Sequence, residues 1–173
     1  MKPSRTWIVS EIELYDRALR LLAQKNRSRW ELSRLLEKRC TEKALVSSVL
    51  DKCVARGYLD DIKYAVHLAR QRATGKKQGR RRVAQELKSR GIAPSIAEQA
   101  LEQVFGSLDE DELLRQALGM KLKAKSGAWT RKQVKKIYDQ LVRAGFNTDR
   151  ILLEFRRHHI SPREMDLNGE EGE

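Results

Sequence analysis

Residues Gly75 to Ile92 read GKKQGRRRVAQELKSRGI, seven lysines and arginines with one glutamate in eighteen residues. Fixed positive charge at this density suits the attraction of anions, either phosphate or the carboxylates of an acidic protein surface. Nine cations stand between Arg70 and Arg90, namely Arg70, Arg72, Lys76, Lys77, Arg80, Arg81, Arg82, Lys88 and Arg90, against one acid, Glu86, for a net charge of +8. A second cluster from Lys121 to Lys136 has seven cations and no acid. On a helix that buries Val134, Ile137 and Leu141, it would turn Lys132, Lys135 and Lys136 outward. The competing reading is a solvated face, with Arg82 and Arg90 each one turn from Glu86 and able to pair with it. The whole chain carries +12, which favours an anionic partner without choosing between nucleic acid and protein.

Catalytic chemistry finds few candidates. His67 falls inside a helical stretch and His158-His159 near a helix end, with no nucleophile elbow, no carboxylate and histidine cluster at ligand spacing and no phosphate loop. No cofactor, no metal and no enzymatic activity are expected. Cys40 and Cys53, thirteen positions apart with no second pair, read as reduced core thiols. The opening MKPSRTWIVSEIELYDR lacks the apolar run of a signal peptide, and no stretch approaches a membrane span, so a cytoplasmic location without membrane contact is expected.

The elements that must carry these charges are helices. Only three prolines occur in 173 residues, and apolar positions recur at spacings of three and four. From Thr41 to Val54 the residues Leu45, Val46, Val49, Leu50, Cys53 and Val54 make one apolar face, and Gly57 follows as a left-handed stop. Ala93 to Phe105 repeats the design with Ile96, Ala97, Ala100, Leu101, Val104 and Phe105, and a third copy after Asn147 holds Ile151, Leu152 and Phe155. Each copy follows a shorter helix. Leu36 to Leu50, Leu87 to Leu101 and Leu141 to Phe155 are each fourteen residues apart, with Gly91 and Gly145 four after their leucines. Cys40 holds that place in the first copy, which predicts a turn of different shape. Opening helices start at Leu59-Asp60-Asp61, with Asp60 as the cap, and at Leu108-Asp109-Glu110.

The fold class is therefore all-α, three tandem three-helix repeats in an elongated, curved array: residues 10–59, a basic 60–107, and 108–160, followed by a disordered acidic tail at 161–173. Two of the middle helices open with capping boxes, Ser28-Arg29-Trp30-Glu31 and Thr130-Arg131-Lys132-Gln133. The second repeat breaks the rule, with Gly79 at the cap and Arg80, Arg81 and Arg82 in a first turn whose dipole disfavours cations by roughly 0.3–1 kcal/mol each. Trp129 is placed to staple onto Val134 rather than to stack on a base. The third helices expose Ser95, Glu98, Gln99, Glu102 and Gln103, a set unsuited to base-specific readout.

Ala18-Leu19-Arg20-Leu21-Leu22, Ser28 to Leu36, Gly57-Tyr58-Leu59-Asp60-Asp61, and Gly79 through Gln85-Glu86-Leu87 to Arg90-Gly91-Ile92 together resemble the RecX regulatory proteins of bacteria. The resemblance runs from about Leu14 to His158. It implies a protein that lies in the groove of the RecA filament on single-stranded DNA and inhibits ATPase, strand exchange and co-protease activity, with no enzymatic activity of its own. It also implies direct DNA binding in some members, here to single-stranded and double-stranded DNA; the chain is expected to act as a monomer. The twelve cations expected at the filament or DNA are Arg70, Arg72, Lys76, Lys77, Arg80, Arg81, Arg82, Lys88, Arg90, Lys132, Lys135 and Lys136. The chain departs from the family's usual pattern at Lys77-Gln78-Gly79-Arg80, which replaces an aromatic between two glycines and a following proline. A second departure is Cys40, which stands where lysine-glycine usually ends the helix. The alternative function is sequence-nonspecific DNA binding independent of RecA.

Overall fold

The computed structural model describes residues 7, 8, 10–123 and 129–160. Among these residues the regular structure is helical throughout: α1 (Glu11–Gln24), α2 (Arg29–Leu36), α3 (Lys43–Ala55), α4 (Asp61–Arg70), α5 (Arg80–Ser89), α6 (Pro94–Phe105), α7 (Glu110–Leu122), α8 (Arg131–Arg143) and α9 (Thr148–Arg157). The caps expected at Asp60 and Asp109 form: Asp60 accepts the Lys63 N–H at 2.9 Å, and Asp109 accepts from Asp111 and Glu112. Asn147 caps α9 in the same way, accepting from Asp149 and Arg150. Gly91 (φ 70°) and Gly145 (φ 92°) close α5 and α8 in the left-handed region. There the N–H groups of Ile92 and Phe146 reach back to the carbonyls of Leu87 and Leu141, both at 3.2 Å, as a Schellman ending requires.

At Cys40 the turn is shaped differently, as its residue type predicts. Its N–H bonds the Leu36 carbonyl at 2.9 Å, and the left-handed non-glycine residues described are Lys77 and His159 instead. Two details differ from expectation. The helix read from Thr41 starts at Lys43, and Val54, placed on its apolar face, is 47 % exposed. Beyond Arg70 the chain continues through a π-helical turn, Gln71–Gly75. The acidic tail and Lys125 of the second basic cluster lie outside the described residues. No helix described is long and apolar enough to cross a membrane.

Chain contacts divide the molecule into two compact units, one of residues up to 68 with 86–100, the other of 69–85 with residues from 101 onward. The first is built on Leu14 and Ala18 of α1, Leu32 and Leu36 of α2, and Val46, Val49, Leu50 and Cys53 of α3, with Cys40 and Leu59 closing its ends. Each fully buried leucine there contributes roughly 1.5–3 kcal/mol. Both cysteines are buried free thiols, and burial pushes the Cys53 thiol up in pKa. The second unit buries Val83 of α5, Leu113, Leu114, Ala117 and Leu118 of α7, Val134, Ile137 and Leu141 of α8, and Ile151 and Phe155 of α9. One acid joins this interior. Glu154, 3 % exposed, is held by Arg157 at 2.6 Å, with Arg115 at 3.9 Å. Burying a carboxylate without such partners is costly.

Candidate functional site, a basic cleft

What places the three arginines is the start of α5, which is fixed by main-chain groups. The Gly79 N–H bonds the Ala144 carbonyl at 2.9 Å, and the Arg80 N–H bonds the Glu110 carboxylate at 3.1 Å. A Cβ on Gly79 would lie 2.7 Å from the Gly145 carbonyl oxygen, and one on Gly145 would lie 2.5 Å from the Arg82 nitrogen. The two glycines therefore meet because neither has a side chain. The acid missing from the first turn of α5 is supplied by α7, which offsets the cost of arginines at that helix end. Arg80 is half-buried and also pairs with Glu102 at 3.4 Å.

The start of α2 in the first unit is held in the same way. The Ser28 hydroxyl donates to the Arg90 carbonyl at 2.6 Å, and the Arg29 N–H donates to the Asp61 carboxylate at 2.7 Å. The capping box of Ser28 and Glu31 is complete, and it is extended by Arg90, which donates to Glu31 at 2.9 Å, to Glu86 at 2.9 Å and to the Tyr64 hydroxyl at 3.0 Å. Of the two arginines a turn from Glu86, Arg90 pairs with it, and its charge is spent inside this network. Tyr64 donates in turn to Glu31 at 3.0 Å.

Burial, then the bond to Glu31 and its charge, push the Tyr64 phenol up to about 12. The unfolded phenol ionises near pH 10. The folded chain thus keeps a proton that the unfolded chain has lost, and stability contributed by Tyr64 is full below about pH 10 and is lost as pH rises toward about 12. In urea denaturation across that range, Tyr64→Phe is expected to show a shallower loss of stability than the unmodified chain; parallel curves would exclude this role.

Arg81 and Arg82 are exposed and line an open cleft of about 700 Å³ within the second unit. Lys121 and Arg143 share its wall, together with the amides of Gln78, Gln85 and Gln140, and its lining holds no acid. Lys121 is positioned by a 2.7 Å bond to Gln140. The Gln78 side-chain oxygen is buried without a hydrogen-bond partner, a deficit worth about 1–3 kcal/mol that a polar ligand or water would relieve. Four cations and three amides around open space can take a phosphate or a carboxylate, with arginine able to bind either through two parallel bonds.

The other expected contact residues are dispersed. Arg70, Lys76 and Lys88 are exposed, Arg72 and Lys77 are half-buried, and Lys132, Lys135 and Lys136 are exposed on α8 away from the cleft lining. The cleft thus joins Arg81 and Arg82 of the first cluster to Lys121 of the second, and adds Arg143, which carries no distinguishing signal in the sequence. A cation in the last turn of a helix is ordinarily explained by the helix dipole. Among the described residues no group of three or more histidine, cysteine, aspartate or glutamate side chains could hold a metal ion.

This architecture defines a class of protein built from three-helix domains in tandem. Residues 15–53 match the model of the first three-helix domain of RecX, and residues 60–101 match that of the second. The chain is 38 % identical over 87 residues to the regulatory protein RecX of Halorhodospira halophila, covering 50 % of this chain and 53 % of that protein. It is 33 % identical over 108 residues to the RecX of Vibrio campbellii, covering 62 % and 68 %. The match thus spans about half the length of the first of these relatives. The crystal structure of RecX from Lactobacillus salivarius superposes with a TM-score of 0.68 over 87 % of this chain and 97 % of that one, at 21 % identity, a likeness of fold. The chain belongs to the RecX family.

Proposed function

We propose that the chain is a negative regulator of a RecA recombinase, binding the RecA filament on single-stranded DNA and inhibiting ATPase, strand exchange and co-protease activity. It would act in the cytoplasm as three tandem repeats, 10–59, 60–107 and 108–160, without enzymatic activity. Membership of the RecX family supports the partner, and the acid-free cleft with Arg81 and Arg82 supports an anionic surface as the thing bound. Arg70, Lys76, Lys88, Lys132, Lys135 and Lys136 would add exposed charge that speeds association. Arg90 and Arg80 serve instead by holding the helices that present that charge.

The cleft chemistry also suits DNA phosphate alone, so a second reading is nonspecific DNA binding without RecA. Binding to RecA-coated single strands, compared with bare single strands at about physiological salt, separates the two. The regulatory reading expects a clear preference for coated strands and loss of RecA ATPase. Equal affinity, falling steeply with salt and leaving the ATPase untouched, would favour the second.

A further inference from the structure

The cleft of the second unit asks for more than negative charge. Arg81, Arg82, Lys121 and Arg143 call for an anion, but the buried Gln78 side-chain oxygen is an acceptor and calls for a donor. Val142, on the same lining, is 39 % exposed and offers apolar surface. A phosphate backbone brings acceptors only and nothing apolar. An acidic peptide brings carboxylates together with N–H donors, since every residue but proline carries one.

Such a peptide lies on this chain. Residues 161–173, SPREMDLNGEEGE, carry Glu164, Asp166, Glu170, Glu171 and Glu173 against Arg163, a net charge of −4, opposite four cations and no acid on the cleft lining. In an extended chain Glu164 and Asp166 fall on one side and Met165 and Leu167 on the other, so one pass presents both carboxylates and an apolar face. The reach is adequate. Ile160 is buried and its N–H bonds the Phe155 carbonyl at 3.1 Å, so the chain leaves the helices beside Phe155. Thr148, on the cleft lining, lies two turns back along α9, about 10 Å at a rise of about 1.5 Å per residue. About three extended residues cover that distance. Glu164 can therefore stand level with the cleft, and the other four acids follow it.

We propose that the acidic segment 161–173, which lies outside the described residues, docks in this cleft and covers Arg81 and Arg82 until a partner displaces it. The inference rests on the reading of the cleft as an anion site given under the proposed function, and adds that the site has a competitor on its own chain. A short tether holds such a competitor at about millimolar effective concentration. Partner affinity is then lowered by the fraction of chains whose cleft is covered.

The test needs no RecA. A fluorescein-labelled peptide of the sequence 161–173 is titrated, by anisotropy at low salt, into the unmodified full chain and into the full chain carrying E164Q/D166N/E170Q/E171Q/E173Q. The peptide should bind the neutralised chain, and the unmodified chain roughly tenfold more weakly or less, because the tethered copy competes. Adding R81E/R82E to the neutralised chain should abolish binding, while adding K132E/K135E/K136E should leave it in place. If R81E/R82E loses its helical circular dichroism, R81Q/R82Q is read instead. Equal binding to the two chains, or none to the neutralised one, would overturn the docking. So would binding that survives the arginine changes and falls with the lysine changes, which would put the segment on α8. Oligothymidylate held through Arg81 and Arg82 with the same affinity by both chains would give the cleft to DNA phosphate and overturn it too. RecA ATPase suppression by the neutralised chain reads the proposed function separately: its absence alongside the expected peptide binding would sink the RecA reading and leave the docking standing.

Discussion

Replacing Gly145 with alanine is expected to destabilise the second unit by about 2–4 kcal/mol, combining left-handed backbone strain with overpacking. The added methyl would stand 2.5 Å from the Arg82 nitrogen and 2.7 Å from its Cβ, on a residue whose φ is 92°. Nothing there is the tip of a flexible side chain, so relief requires moving the start of α5. Gly91→Ala is the matched case in the first unit: at φ 70° its methyl would meet the Trp30 Cγ at 2.3 Å and its Cβ at 2.4 Å, and rotating the ring does not move Cβ. Urea denaturation followed by circular dichroism should therefore show both G145A and G91A destabilised, and a G145A chain as stable as the unmodified one would show that the α5 contact is loose. G145A should also weaken filament binding, since the displaced turn carries Arg82.

Reversing the charge of Arg81 and Arg82 together is expected to weaken binding to the RecA filament by about 100-fold or more, on the scale of two lost charged hydrogen bonds. Suppression of RecA ATPase should disappear with it, while the helical spectrum is kept, because both side chains are exposed and α5 is anchored through main-chain atoms. The control is the triple reversal of Lys132, Lys135 and Lys136. Those lysines lie outside the cleft lining, and their loss should mainly slow association. If the triple variant loses ATPase suppression while R81E/R82E retains it, the assignment of the cleft is wrong. Lysine at 81 and 82 should rescue partially, since it restores charge without the planar fork that binds an anion through two bonds.

The helices were legible because their apolar periodicity and caps are local signals. Ser28, Asp60, Asp109 and Asn147 each bond the backbone within three residues, and the fourteen-residue spacing of leucines follows from helix length plus a short turn. What was not legible depends on residues distant in the chain. Arginines opening α5 looked like a cost unpaid by structure, yet Glu110 lies thirty positions away and supplies the acid. The cleft likewise assembles Arg81, Lys121 and Arg143 from α5, α7 and α8, and no spacing in the sequence links them. Glu154 reads as one more polar position on α9, and its burial follows from the packing that brings Arg115 near it. The π-helical turn at Gln71–Gly75 has no local signature that separates it from a continuing α-helix.

The contact of Gly79 with Gly145 also bears on how such a protein can change over generations. Register is held by two backbones in contact, and ligand chemistry by side chains that take no part in holding it. Residues 81, 82 and 143 can therefore drift from arginine toward amide or aromatic, retuning what the cleft accepts, with no compensating change in the helices. The glycines have no such latitude. A side chain at either could be tolerated only if the opposing backbone moved as well, so selection on the scaffold and selection on its target fall on different residues.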